Sequence, residues 1–188
     1  MKTQYYTAAS LDGYIADPDH SLTWLFQFDE PQAGSDSQRF SADVGAAVMG
    51  SATYEWLLRH HVFPDGAPQQ PWPYAIPVWV FSSRALRPVE GADIRYVRGD
   101  VRPVHEQIRQ AAGTKNCWIV GGGELAAQFA DHGLLDEMIV TVASVTLGGG
   151  APLFPRRMTD PPLRLVSAER WGGSFVQLRY AVQRAGAS

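Results

Sequence analysis

The chain has 188 residues, 45% of them hydrophobic, 11% aromatic and 19% charged, with a formal net charge of -3. That length suits one hydrophobic core, the composition excludes an unfolded chain, and a mildly acidic sequence with no run of Lys or Arg excludes a general attraction for nucleic acid. One cysteine, Cys117, rules out an internal disulfide and suits a reducing, cytoplasmic setting, and no stretch nears the roughly twenty apolar residues of a membrane span.

The opening stretch MKTQYYTAASLDGYIAD is broken by Asp12 and lacks the continuous apolar core of a secretory signal. Its Tyr- and Thr-rich part, Thr3 to Ala9, reads as a strand leading to Asp12-Gly13, a strong turn signal. Asp17 to Pro31 reads as a loop, yet Leu22, Trp24, Leu25, Phe26 and Phe28 require it to pack on something. Ser35 or Asp36 is expected to cap a helix running toward Val44, and AAVMG, ending at Gly50, is a short buried strand. SATYEWLLRHH, from Ser51, resumes helical spacing. Beyond a proline-rich loop from Asp65 to Pro77, VWVFSSR is a further strand ending in Ser82, Ser83 and Arg84, and DIRYV a shorter one.

Asp100 is expected to cap an amphipathic helix with Val101, Val104, Ile108 and Ala111 or Ala112 on one face and Gly113 at its end. NCWIV, the glycines Gly121 to Gly123 and another helix follow, then EMIVTVASVTLGGG as one long strand. LRLVSAERWGGSFVQLRYAV reads as two strands joined by Gly172-Gly173, a hairpin, and RAGAS as a frayed tail. The alternation predicts an α/β layer fold, in a single domain, with a mostly parallel sheet and an antiparallel edge.

Chemistry collects where strands end. Gly121, Gly123 and Ala126 match G-x-G-x-x-A between a strand and a helix, where backbone without Cβ atoms lets N–H groups approach a phosphate and the helix start favours an anion. A Rossmann unit carries an acid about twenty residues later, and TVASVT has none, so the glycines hold a phosphate in some other design or are a bare turn. Gly50, Ser51 and Thr53 form a second such junction, and Ser82, Ser83 and Arg84 offer hydroxyls and a guanidinium to a further monophosphate. Together these favour NADP(H) over NAD(H).

Histidines at positions 20, 60, 61, 105 and 132 lack metal-ligand spacing, so no metal is expected. Ser10 beside Asp12 lacks the G-x-S-x-G elbow of a hydrolase. Trp24, Phe26, Trp56, Trp72 and Tyr74 are able to line a pocket for a flat heterocycle, with at least half of them expected in the core.

In chain order, TAASLDGYIA, VMGSATYE, VFSSR, WIVGGGELAAQF and LGGGAPLF resemble the dihydrofolate-reductase-like superfamily, and within it stand-alone relatives of the RibD C-terminal reductase domain of riboflavin biosynthesis. The resemblance implies a three-layer α/β/α fold around a twisted sheet of about eight strands. It implies NADPH across the carboxyl edge, with Gly50, Ser51, Ala52 and Thr53 touching its phosphates from one side and Gly121, Gly122, Gly123 and Glu124 from the other. Ser82, Ser83 and Arg84 would surround the 2′-phosphate, and the Gly121–Gly122 peptide would be cis.

The implied reaction is hydride transfer to a carbon doubly bonded to nitrogen or oxygen in a small heterocyclic or sugar-derived substrate, first of all 5-amino-6-(5-phosphoribosylamino)uracil. Reduction of dihydrofolate, and NADP binding without turnover, are the alternatives. Asp12 is the candidate acid or substrate anchor, or else the fixed carboxylate of an Asp-Gly turn. Two departures stand out: riboflavin reductases carry a lysine six residues before the aspartate of SLDG, where this chain has Tyr6, and the carboxylate of folate reductases falls near Gly34 and Ser35, with Asp36 close by. The zinc deaminase half of the riboflavin enzyme needs a PCxxC site that one cysteine does not supply. A homodimer is expected, with VTVASV as an apolar edge for it.

Overall fold

In the computed structural model, which describes residues 1–28, 31–64 and 67–184, the elements run in chain order as follows. Strands β1 (Thr3–Ser10) and β2 (Tyr14–Ala16) precede helix α1 (Pro31–Ala42), β3 (Val44–Gly50), α2 (Ser51–Leu57), β4 (Val78–Phe81) and β5 (Ile94–Val97). Then come α3 (Val101–Ala112), β6 (Asn116–Val120), α4 (Gly123–Asp131), β7 (Glu137–Ala143), β8 (Ala151–Pro152), and the hairpin of β9 (Arg164–Trp171) and β10 (Phe175–Ala181). One eight-stranded sheet has the order β5-β4-β3-β6-β1-β7-β10-β9. Its pairs are parallel from β5 to β7 and antiparallel from β7 to β9, the mixed α/β architecture with a C-terminal hairpin.

The period of two along each strand decides the layers. Tyr5, Val48, Trp79 and Ile119 turn to one face and meet Val104 and Ile108 of α3 and Leu125 and Phe129 of α4. Ala47, Met49, Val78 and Val80 turn to the other and meet Tyr54 and Leu57 of α2, while Phe40 of α1 packs on Val44 and Ile139. Helix α3 follows its sequence closely: the Asp100 carboxylate accepts the Arg102 N–H at 2.8 Å and Gly113 closes the helix with φ 62°, a cap worth about 1 kcal/mol. Cys117 is buried on β6, and desolvation pushes its thiol up to about 12, which leaves it chemically quiet.

Several expectations change. Helix α1 starts at Pro31, whose fixed φ suits a first helical position, so neither Ser35 nor Asp36 caps it. Helix α2 continues as a π-helical turn over Leu58–Val62, and a short two-stranded sheet pairs β2 with β8. Strand β7 ends at Ala143 and is flanked by β1 and β10; VTVASV is therefore interior to the sheet, because the C-terminal hairpin covers it, and it offers no dimer edge. The Gly121–Gly122 bond is trans. Among the described residues the cis peptide is Asp160–Pro161, and the two glycines turn the chain with left-handed φ of 66° and 85° instead. Of RAGAS only Arg184 is described, and it pairs with Asp136 at 2.9 Å; Asp65 and Gly66 of the proline-rich loop also lie outside the described residues. No helix among the described residues is long and apolar enough to cross a membrane.

Candidate active site

Strands β3 and β6 are hydrogen-bonded neighbours, but the helices that follow them pack on opposite faces of the sheet. The connections therefore reverse at this point of the carboxyl edge, the kind of place at which ligands settle in open α/β sheets. Gly50 precedes α2 in an extended conformation and Gly122 precedes α4 in a left-handed one, and neither helix receives a side-chain cap among the described residues. First-turn N–H groups have no intrahelical partner, so two positive helix ends lie at this edge. The corners meet closely: a Cβ on Gly121 would stand 3.2 Å from Thr53 Oγ1. Gly50, Ser51, Ala52, Thr53, Gly121 and Gly122 are thereby gathered at one place.

Gly123 is bare for a different reason. A Cβ there would lie 2.4 Å from the Leu153 carbonyl oxygen and 2.5 Å from that of Pro152, so the missing side chain admits the β8 backbone. Glu124 is likewise committed, its carboxylate accepting two Arg156 N–H groups at 2.7 and 3.0 Å, and this pairing holds it below the usual carboxylate range. Only the main chain of these two residues is left for an anion.

Asp12 is bound into the turn that follows β1. Its carboxylate accepts from Ser10 Oγ at 2.6 Å, from the Leu147 N–H at 3.0 Å and from the Gly148 N–H at 2.7 Å. The Ser10 bond first, and then the two amides, hold it below its ordinary 3.8. It is the fixed carboxylate of a turn. By tying β1 to the loop before β8, it positions the carbonyls that back Gly123. Asp12→Ala is expected to lower the melting temperature at neutral pH. Because the folded pKa is depressed, that contribution is present above the ordinary value and lost as pH falls through the folded one. Thermal melts down to pH 3 check this: the gap between the two proteins should narrow in acid.

On the outer side of α2 a hollow of about 500 Å³ is lined by Glu55, Leu58, Arg59, Phe63, Arg84 and Arg87. Arg84 is paired with Glu55 at 2.7 Å, and Ser82 Oγ accepts the Arg84 N–H at 3.1 Å and donates to its carbonyl at 2.8 Å, so both are partly occupied by local bonds. Ser83 is exposed beside them. Arg87 lies with its guanidinium 3.5 Å from the Phe63 ring centre. Three arginines against one carboxylate give this hollow a positive lining.

On the α1 face, a cavity of about 450 Å³ opens over the carboxyl halves of β1 and β7. The sheet supplies Tyr6, Thr7, Ala8, Trp118 and Thr141, the segment after β2 supplies Leu25, Phe26 and Phe28, and the hairpin supplies Trp171 and Phe175. Tyr6 Oη donates to Asp36 Oδ2 at 3.2 Å and Gln177 Nε2 donates to the same oxygen at 2.9 Å, so the Asp36 carboxylate is bonded to one of the cavity's lining residues, Tyr6. Burial first, and the neighbouring Asp36 second, push the Tyr6 phenol up, so it stays a donor. Phe26, 65% exposed, stacks on Trp56 of α2 with ring centres 6.3 Å apart, linking the cavity rim to that helix. Of the other aromatic residues expected at a pocket, Trp24, Trp72 and Tyr74 pack into hydrophobic clusters.

The sequence reading did not single out Arg59, Arg87 or Gln177, and it left Asp36 out of register. Arg59 and Arg87 carry no linear signal, since only the fold brings them to Arg84. For Asp36 the signal was its place on the helix before the MG strand.

The chain matches the model of the RibD C-terminal domain over residues 2–176. It is 32% identical to YwjB of Bacillus subtilis (strain 168) over 180 residues, 95% of this chain and 97% of that one. A solved protein from Shewanella sp. PV-4 ascribed to riboflavin biosynthesis superposes with a TM-score of 0.79 at 29% identity, covering 98% of this chain and 100% of that one. Dihydrofolate reductase from Enterococcus faecalis, solved with NADP(H), shares the fold with a TM-score of 0.60 at 16% identity, covering 96% and 95%.

Proposed function

Since the chain belongs to the RibD C-terminal domain family, we propose that it is an NADPH-dependent reductase of a small heterocyclic substrate. The supporting observation is the meeting of two uncapped helix starts at Gly121 and Thr53, in a chain that also carries an aromatic cavity and an arginine-lined hollow. A cradle that a single Cβ would crowd fits a diphosphate, held by the main chain of Gly50 to Thr53 and of Gly121 to Gly123. Arg59 and Arg87, with Ser82, Ser83 and Arg84, would hold the 2′-phosphate; Arg84 contributes less because Glu55 already engages it. When bound, the nicotinamide supplies the hydride.

The chain's own residues do the rest. Phe28, Trp118, Trp171 and Phe175 exclude water and restrict a flat ring to few orientations. Asp36 receives N–H groups of the substrate or passes a proton, with Tyr6 and Gln177 fixing one of its oxygens and leaving Oδ1 to act. Dihydrofolate is the second reading of the substrate, favoured by the place of Asp36 on the helix before β3.

NADPH at a hundredfold excess over its Kd is expected to stabilise the protein by about 2.7 kcal/mol, a rise of roughly 5–10 °C for a chain of this size. Arg59→Ala with Arg87→Ala is expected to weaken NADPH by about tenfold or more while leaving NADH unchanged. Thermal shift with both cofactors is the measurement. No shift with NADPH at any excess would end the reductase reading, and a shift with no consumption of 340 nm absorbance by any heterocycle would leave a binding module.

A further inference from the structure

We infer that a row of aromatic side chains carries single electrons between the cavity and the protein surface, so that an oxidising equivalent left on a ring in the cavity is discharged at Tyr96. Trp118 lines the cavity, and Tyr96, on the edge strand β5, is 43% exposed. Between them the ring centres of Tyr96 and Tyr54, Tyr54 and Trp72, Trp72 and Tyr74, and Tyr74 and Trp118 stand 5.7, 5.7, 5.5 and 5.7 Å apart. These are ordinary distances for packed aromatic pairs. What sets the row apart is its composition: indoles and phenols give up an electron far more readily than benzyl rings or aliphatic groups, and no phenylalanine interrupts it. At the outer end the Tyr54 and Tyr96 hydroxyls are also hydrogen-bonded, 2.7 Å apart.

Proton chemistry gives the route its direction. An indole or phenol that has lost an electron becomes a strong acid, and the oxidised ring settles only where a base takes its proton. Trp118 Nε1 donates to the Tyr6 carbonyl at 3.0 Å, Tyr54 Oη donates to the Arg87 carbonyl at 2.6 Å, and Trp72 Nε1 is buried without a partner among the described residues. A carbonyl accepts a hydrogen bond but does not take the proton. Burial pushes the Tyr74 phenol up to about 12, so that ring too parts with its proton reluctantly. Positive charge on these inner rings is costly and moves on. Tyr96 stands where water receives the proton. In balance, Tyr96 loses one electron and its phenol proton; the proton passes to water, and the electron, relayed by Tyr54, Trp72, Tyr74 and Trp118, reduces the oxidant in the cavity, the radical of a nitrogen heterocycle one electron short of its closed shell.

The test starts the oxidation at the cavity rim. Phe26 belongs to the lining and is 65% exposed, so Phe26→Cys carries a ruthenium tris-bipyridyl photosensitiser, while the native thiol of Cys117 is buried and stays unlabelled. A flash with an external electron acceptor leaves ruthenium(III), and a nitroso spin trap with peptide mapping locates the radical that follows. The adduct is expected at Tyr96 and is expected to be lost with Trp72→Phe, which keeps a ring in place but interrupts the row. Tyr96→Phe, at an exposed position, is expected to lengthen the life of the indolyl absorption. A radical trapped elsewhere than at Tyr96 overturns the inference, above all one at Tyr6, which lies 6.2 Å from Trp118 and donates its phenol hydrogen to the Asp36 carboxylate. So does an undiminished Tyr96 adduct in Trp72→Phe, or an indolyl lifetime that Tyr96→Phe leaves unchanged. Thermal shift with NADPH on the same proteins reads the reductase proposal separately.

Discussion

Asp36→Asn is expected to lower the rate of reduction by about 10²–10³-fold while NADPH still protects the protein against heat. Asparagine keeps the size of the side chain and one oxygen for Tyr6 and Gln177, so the cavity keeps its walls. What it removes is the charge and the capacity to carry a proton beside the ring. The loss should fall mainly on kcat, because binding of a flat ring rests largely on the aromatic lining. Tyr6→Phe removes one donor to the carboxylate and should cost less, since Gln177 still holds the same oxygen. Steady-state kinetics with single-turnover traces separate the two parameters. A kcat within threefold of the parent protein would mean that the proton comes from elsewhere.

Gly123→Ala is expected to destabilise the fold by about 3 kcal/mol, toward the upper end for overpacking, because the atoms met at 2.4 and 2.5 Å are backbone carbonyls that no rotamer change moves aside. Either α4 retreats from β8, or the turn from Asp12 to Gly150 opens with it. Gly121→Ala should behave differently. Its left-handed φ of 66° costs a side chain about 1 kcal/mol, and its Cβ would approach Thr53 Oγ1 at 3.2 Å, inside the proposed cradle. Denaturant melts with and without NADPH distinguish them: the Gly123 variant loses stability in both, whereas the Gly121 variant loses chiefly the increment that NADPH adds. Equal behaviour of the two variants would show that the corner is uniform, and the division between packing glycine and cradle glycine would fail.

That division also marks where sequence reasoning stopped. Features set by neighbours in the chain were legible: Asp100 and Gly113 bound α3 as their caps require, and Gly172 and Gly173 turn the final hairpin. The gathering of two glycine corners was legible as well, because strand-to-helix junctions carry their own signature. Contacts across long separations were not. Asp36 lies 30 residues from Tyr6 and 141 from Gln177, and a helix start moved to Pro31 is what turns it toward both. Glycine is the same letter whether it admits a phosphate or a carbonyl, so Gly123 was grouped with Gly121 until β8 was seen against it. Asp12 reads as an acid beside a turn, and only the amides of Leu147 and Gly148 convert it into a clamp.

The place of β1 between β6 and β7 bears on biosynthesis. Thr3 faces Cys117 and Gln4 faces Glu137, so β1 is flanked on both sides only after the chain through Ala143 has been made. Until then the nascent chain carries an open β-edge at a strand whose Tyr5 and Ala9 the finished fold buries, a template for pairing with other chains. Closing it requires contacts of high sequence separation, which form slowly. An edge that closes this slowly is where pairing with other copies is expected to start, and light scattering of the refolding chain at rising concentration is the measurement that checks it.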